Sequence, residues 1–267
     1  MDRLSRLENE SIYILREGYY LFRKSAVLWS IGKDSTAMLW LMRKAFLGKI
    51  PFPVIHIDTT FKFPEMYRSR DEWAKKWKLP LKIVRNEAAL KKGIGYQTHD
   101  AFTCCHELKT LALKNAIEKY KWKALFVGIR RDEHGIRGKE RVFSPRNEKS
   151  EWDYTDQPLE MWELFKPWHA TMQHVRIHPL LGWTEADVWE YTRREKIPVN
   201  PLYFSKNGKR YRSLGCMPIT HPVVSEADTM DKIIEEIKSS TESERKGRAQ
   251  DKEEMYTMQK LRSLGYM

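Results

Sequence analysis

The segment Ser30-Ile31-Gly32-Lys33-Asp34-Ser35 carries the clearest chemistry in this chain. It joins an apolar run, Ala26-Val27-Leu28-Trp29, to the helix-forming stretch Ala37-Met38-Leu39-Trp40-Leu41-Met42. At a strand-to-helix junction the free N–H groups of the first turn and the positive helix end attract anions. Gly32 permits close backbone approach, Lys33 can neutralise phosphate charge, and the hydroxyls of Ser30 and Ser35 can donate to phosphate oxygens. Asp34 could help hold Mg²⁺. The spacing G-x-x-x-x-G-K-[ST] is absent, so this is not a Walker A loop. The bland alternative is a polar cap on an ordinary turn.

Two further groups invite chemistry. Arg130, Arg131, Arg137 and Arg141 crowd the stretch after the apolar run Ala124–Ile129, which includes Gly128. Guanidinium forks suit sulfate and phosphate oxygens, although pairing with Asp132, Glu133 and Glu140 would also occupy them. Cys104, Cys105 and Cys216 are too few for a disulfide framework in a chain of this length. They are candidate metal ligands or, read individually, small buried apolar groups. The histidines show no zinc spacing.

These residues need a scaffold, and the pattern predicts one. Residues 5–24 read as a helix, with Leu7, Ile12, Leu15, Tyr19 and Phe22 at helical spacing. Val54–Asp58 reads as a buried strand and Leu81–Val84 and Ala124–Ile129 as further strands, alternating with helices over Glu65–Trp77 and Leu108–Tyr120. Alternation of this kind implies a doubly wound α/β fold, a parallel sheet flanked by helices with ligands at the carboxyl ends of the strands. From about residue 140 the texture turns to loops rich in Trp and Pro, then a helix capped by Thr184 and another over 229–240 with Met230, Ile233, Ile234 and Ile237 on one face. The expected organisation is a nucleotide-binding core over 1–140 and a loop-rich C-terminal extension over 141–267 that completes the core and covers the site.

Composition excludes several classes. Hydrophobic residues at 41% and charged residues at 31% are globular values and rule out disorder as the main state. The apolar runs fall far short of the ~20 residues of a membrane span, and the charged N-terminus lacks the layout of a secretory signal. A cytoplasmic location and no membrane contact are therefore expected. The net charge of +12, mostly within the first hundred residues, suits anionic ligands without choosing among them.

The loop resembles the S-G-G-K-D-S loop of PP-loop ATP pyrophosphatases, with Ile31 replacing the first glycine. That departure is shared by the family of small catalytic subunits of bacterial sulfate adenylyltransferase, in a wider group that includes adenylylsulfate reductases. Further similarities run through nearly the whole chain: His56-Ile57-Asp58-Thr59 with Phe61-Lys62-Phe63, Gly128-Ile129-Arg130-Arg131-Asp132-Glu133, Lys139-Glu140-Arg141, Trp183-Thr184-Glu185, Ser213-Leu214-Gly215-Cys216, and Ser243 to Arg248.

The resemblance implies transfer of AMP from MgATP to sulfate with release of pyrophosphate, helped by a GTPase large subunit as partner because the product is energetically uphill. It implies that Ser30, Gly32, Lys33, Asp34, Ser35, Asp58, Thr59, Gly128, Arg245 and Arg248 meet ATP, with Lys33 and the four arginines stabilising the transferred charge. Asp58 could equally cap the following turn, and the tail with Arg245 and Arg248 could be a solvated helix. Similarity to the reductases also raises an alternative. Cys104, Cys105 and Cys216 would hold an iron–sulfur cluster with one open iron, Ile219 standing where a fourth cysteine would be, and the chain would insert sulfur into nucleic acid.

Overall fold

The computed structural model describes residues 1–153, 155, 157, 160, 172–240, 244, 261, 264 and 265. Four short apolar runs become the strands β1 (Ser25–Leu28), β2 (Val54–Ile57), β3 (Leu81–Val84) and β4 (Ala124–Phe126). Between them lie α1 (Arg3–Leu21), which precedes β1, α2 (Lys33–Ala45), α3 (Pro64–Lys76), the short α4 (Glu87–Lys91) and α5 (Ala101–Cys105), and α6 (Ala112–Tyr120). A π-helical stretch, His106–Leu111, connects α5 to α6. Such stretches are rare and widen one face of a helix.

Two strands that the sequence pattern does not announce complete the sheet, β5 (Phe143–Arg146) and β6 (His174–Ile177). The order is β3-β2-β1-β4-β6-β5, parallel throughout except for β5, which pairs antiparallel to β6 at the edge. Neither reads as a strand for physical reasons. Pro145 cannot donate to a ladder and is tolerated because β5 is an edge. In β6 polar and apolar residues alternate, yet all four side chains are buried. Arg176 is satisfied there in part by the Gly265 carbonyl at 2.6 Å.

Helix α1 lies directly on the sheet. A Cβ built on Gly18 would sit 2.7 Å from Ile177 and 2.8 Å from Phe126, so only glycine allows this approach. After the sheet come α7 (Glu185–Arg194), a two-stranded hairpin of β7 (Lys209–Arg210) and β8 (Val223–Val224), and α8 (Met230–Ser239). Thr184 caps α7 as expected: its hydroxyl accepts the Asp187 N–H at 3.1 Å while the Asp187 carboxylate accepts the Thr184 N–H at 2.8 Å. On α8, Ile233 and Ile234 are buried with Met230 and Ile237 packed beside them. No helix among the described residues is long and apolar enough to cross a membrane.

Strand order reverses between β1 and β4, whose neighbours in sequence lie on opposite sides. Ligands of doubly wound sheets bind at such a switch point, outside the carboxyl ends of the strands.

Candidate active site

The loop after β1 occupies that switch point. Ile31 has φ 65°, a conformation that costs a β-branched residue about 1–3 kcal/mol. Its side chain is buried in the core, which returns about 1.5–3 kcal/mol and offsets the strain. The glycine of the more general loop motif is thus replaced at the position where backbone conformation favours glycine. The Ser30 and Ser35 hydroxyls lie 3.0 Å apart, and Ser35 also donates to the Gly32 carbonyl at 3.1 Å, which ties the loop to the first turn of α2. The hydroxyl of Tyr203 accepts the Lys33 N–H at 2.9 Å.

A cleft of about 150 Å³ opens beside this loop. One end is the loop itself, with Ser30, Gly32, Lys33, Asp34 and Ser35 facing Gly128. Leu28, Ile55, Ile57, Val127 and Ile129 supply apolar wall from three strands, and Leu214 closes over them. Lys62, Lys109, Glu133 and Arg137 also line the cleft. Lys62, Lys109 and Arg137 are 9%, 5% and 6% exposed. Buried cations are uncommon and usually answer a negative charge.

At the loop end the charges interlock. Arg130, fully buried, pairs with Asp34, with Asp132 at 2.9 Å and with Glu244. Lys33 pairs with Glu244 and, at 3.2 Å, with Asp34. Burial pushes the Glu244 carboxyl up, but the charges of Arg130 and Lys33 outweigh it and hold the group well below the ordinary carboxylate range. Glu185 goes the other way, raised by burial and by the neighbouring Glu244 despite its contact with Arg212 at 2.8 Å.

The anticipated residues therefore divide. Ser30, Gly32, Lys33, Asp34, Ser35 and Gly128 meet in the cleft, Arg137 lines it while paired with Glu133, and Arg130 reaches the loop through Asp34. Arg131 is exposed and Arg141 half-buried, and neither is among the lining residues. Asp58 is not among the residues that line the cleft. Its oxygens accept from the Thr60 N–H at 2.9 Å, the Tyr67 hydroxyl at 2.7 Å and Arg85 at 2.6 Å, so it caps the turn after β2. Arg245 and Arg248 lie outside the described residues. Sequence reasoning missed Lys62, Lys109, Tyr203 and Glu244 as cleft residues, because each arrives from a distant segment. The buried π-helical setting of Lys109 is visible only in three dimensions.

A second cavity, of about 260 Å³, adjoins the first and shares Lys109 with it. Cys104, Cys105 and Cys216 all line it, together with Thr59, Phe61, Tyr96 and Ile219. Burial first, then the adjacent Cys105 and Cys216, push the Cys104 thiol up to about 12. The Cys216 sulfur lies 3.2 Å from the Thr59 hydroxyl and Cys105 lies 3.7 Å from the Lys109 ammonium. All three are free cysteines, and among the described residues no group of three or more His, Cys, Asp or Glu side chains is arranged to hold a metal ion. This arrangement does not favour the iron–sulfur reading.

Comparison with known proteins shows the family. The phosphoadenosine phosphosulfate reductase domain family matches residues 24–222. Sulfate adenylyltransferase subunit 2 of Mesorhizobium japonicum is 39% identical, and that of Bacteroides fragilis 40%, each alignment covering 100% of this chain and 98% of the relative. The chain belongs to the sulfate adenylyltransferase subunit 2 family. Among solved structures, Candida glabrata FMN adenylyltransferase in complex with ATP superposes with a TM-score of 0.58 at 18% identity, covering 82% of this chain and 63% of that one. That likeness supports the fold alone. Membership of the subunit 2 family does not favour sulfur insertion into nucleic acid.

Proposed function

We propose that the chain transfers the AMP group of ATP to sulfate, giving adenosine 5′-phosphosulfate and pyrophosphate. The observation that carries this reading is the Ser30–Ser35 loop at the sheet's switch point, in a cleft also lined by the buried cations Lys62, Lys109 and Arg137, in a chain matching the sulfate adenylyltransferase relatives over its full length.

In this reading a sulfate oxygen attacks the α-phosphorus of ATP. The new S–O–P link forms as the bond from the α-phosphorus to the oxygen bridging the β-phosphate breaks, and its electron pair leaves with pyrophosphate. No covalent enzyme intermediate is needed, so catalysis rests on alignment and charge stabilisation. Lys33, Arg130 and the N–H groups at the start of α2 would take the pyrophosphate. The apolar walls from β1, β2 and β4 would hold the nucleotide, and Lys62, Lys109 and Arg137 would hold sulfate. Mg²⁺ would enter with the nucleotide and supply further neutralisation of phosphate charge, with Asp34, next to Lys33 in sequence and 3.2 Å from its ammonium, as the carboxylate that would hold it.

A mixed sulfuric–phosphoric anhydride is uphill from ATP and sulfate. The relatives' designation as subunit 2 supports a companion large subunit, and we take it to be a GTPase whose hydrolysis drives the reaction. ATP as co-substrate and three free thiols favour the cytoplasm. The test is pyrophosphate release by the full chain with and without sulfate, repeated with the large subunit and GTP. Release that depends on sulfate supports the reading, and release indifferent to sulfate opposes it.

A further inference from the structure

The loop end of the cleft already holds an anion. Glu244 places one carboxylate oxygen on the Lys33 ammonium and the other on the Arg130 guanidinium, and it lines the same cleft. Two oxygens of a phosphate would use those donors in the same way, since both groups present negative oxygens to charged N–H donors. While Glu244 is there the cations have no other open face: the side chains of Lys33 and Arg130 are 1% and 0% exposed.

Charge makes the consequence definite. Among the described residues, the carboxylates ion-paired with Lys33 and Arg130 are Asp34, Asp132 and Glu244, three negative groups against two positive ones. A polyphosphate entering this arrangement would meet net repulsion in a poorly solvated place, where charge is weakly screened. Asp132 is largely on the solvent side, with a third of its side chain exposed, and Asp34 belongs to the loop itself. Glu244 is the carboxylate that bridges both cations from a remote part of the chain, and its departure leaves the pair balanced.

We propose that Glu244 is a resident substitute for phosphate: it occupies the pyrophosphate subsite of the nucleotide-free protein and must leave Lys33 and Arg130 when ATP binds. This rests on the ATP reading of the loop given above. In the empty site the carboxylate keeps two buried cations satisfied, a situation whose loss is costly when one partner is deleted. In the occupied site the same cations face phosphate oxygens. The observed affinity for ATP is then the intrinsic affinity reduced by the fraction of molecules in which Glu244 has vacated the site.

The test uses inorganic pyrophosphate, which occupies only this subsite, titrated calorimetrically into the full chain, Glu244→Gln and Lys33→Ala. Glu244→Gln retains the shape and one of the two acceptor oxygens while removing the competing charge. If the carboxylate holds the site in about nine molecules of ten, pyrophosphate binds Glu244→Gln about tenfold more tightly. The variant also melts lower without ligand and gains more on adding pyrophosphate. Equal or weaker binding by folded Glu244→Gln overturns the proposal. Lys33→Ala separates the two claims: loss of pyrophosphate binding there with no tightening in Glu244→Gln removes the Glu244 proposal alone, whereas wild-type binding by Lys33→Ala removes the loop reading beneath it. Should Glu244→Gln fail to fold, stopped-flow tryptophan fluorescence of the unmodified chain decides, with Trp29 in the cleft wall as reporter. A binding rate that levels off with rising pyrophosphate is expected if Glu244 departs first, and one that rises linearly over the same range contradicts it.

Discussion

Gly128 lies against Ser35: a Cβ built on Gly128 would stand 3.1 Å from the Ser35 Cα and 3.2 Å from the Asp34 backbone. The segment just after β4 thus touches the first turn of α2 where both line the cleft. Backbone atoms cannot swing aside as a side-chain tip would. Gly128→Val should push the loop outward and weaken ATP binding by about tenfold or more, since small misplacements of aligned groups are costly. Calorimetric titration of ATP checks this, with circular dichroism confirming the fold. Unchanged affinity in folded Gly128→Val would mean the loop does not hold ATP.

Lys62 and Lys109 line the cleft as buried cations outside the loop sequence. Lys109→Met and Lys62→Met retain apolar length and remove the charge. Each should raise the KM for sulfate by about tenfold, the scale of one lost charge-assisted contact, while the KM for ATP changes less than twofold. Steady-state kinetics in the two substrates separate the outcomes. An effect on ATP alone would move these lysines to the nucleotide end.

Much of the scaffold was legible because its signals are local. The loop residues are consecutive, the capping box of Thr184 and Asp187 spans one turn, and the β1, β2 and β4 runs are short and mostly apolar. The rest depends on long-range partners. β6 buries His174 and Arg176, so its hydrophobic pattern is blurred. Asp58 sits at a strand end as a ligand contact would, yet Arg85 and Tyr67 claim it from other segments. Lys33 and Arg130 were named as cations for phosphate, but Glu244, more than a hundred residues away in sequence from either, is the carboxylate that holds both.

Stability should fall steeply with mild acid. Burial, followed by the charge of Lys62, pushes His56 down to about 4, and burial pushes His178 down to about 3 despite Glu140 nearby. Burial and the charges of Arg176 and Arg146 hold His174 well below its ordinary value. All three stay neutral in the folded chain while the unfolded chain protonates them near pH 6.5. The unfolded state binds more protons below that pH, so each histidine removes stability as pH falls from about 6.5, by about 1.4 kcal/mol per unit at most. Urea midpoints from pH 7.5 to 5 should therefore drop continuously. A flat profile over that window would contradict the buried neutral assignment.

Cys104 should behave as an inert thiol. With its ionisation pushed up to about 12, little thiolate exists at pH 8, and alkylation by iodoacetamide should be about a hundredfold slower than for an open cysteine. Mass spectrometry over time measures this. Cys104→Ser should keep at least half of the sulfate-dependent turnover, and its abolition with the fold intact would return the thiols to the chemistry.

The central claim is AMP transfer between ATP and sulfate on the Lys33 loop, and its downhill direction needs no coupling partner. Adenosine 5′-phosphosulfate and pyrophosphate would be given to the full chain, alone and with the large subunit, and ATP formation followed by luciferase light. The account predicts ATP synthesis that falls at least about a hundredfold in Lys33→Ala, the size of a lost charge-stabilising contact. No ATP from either preparation, or an undiminished rate in Lys33→Ala, would contradict it.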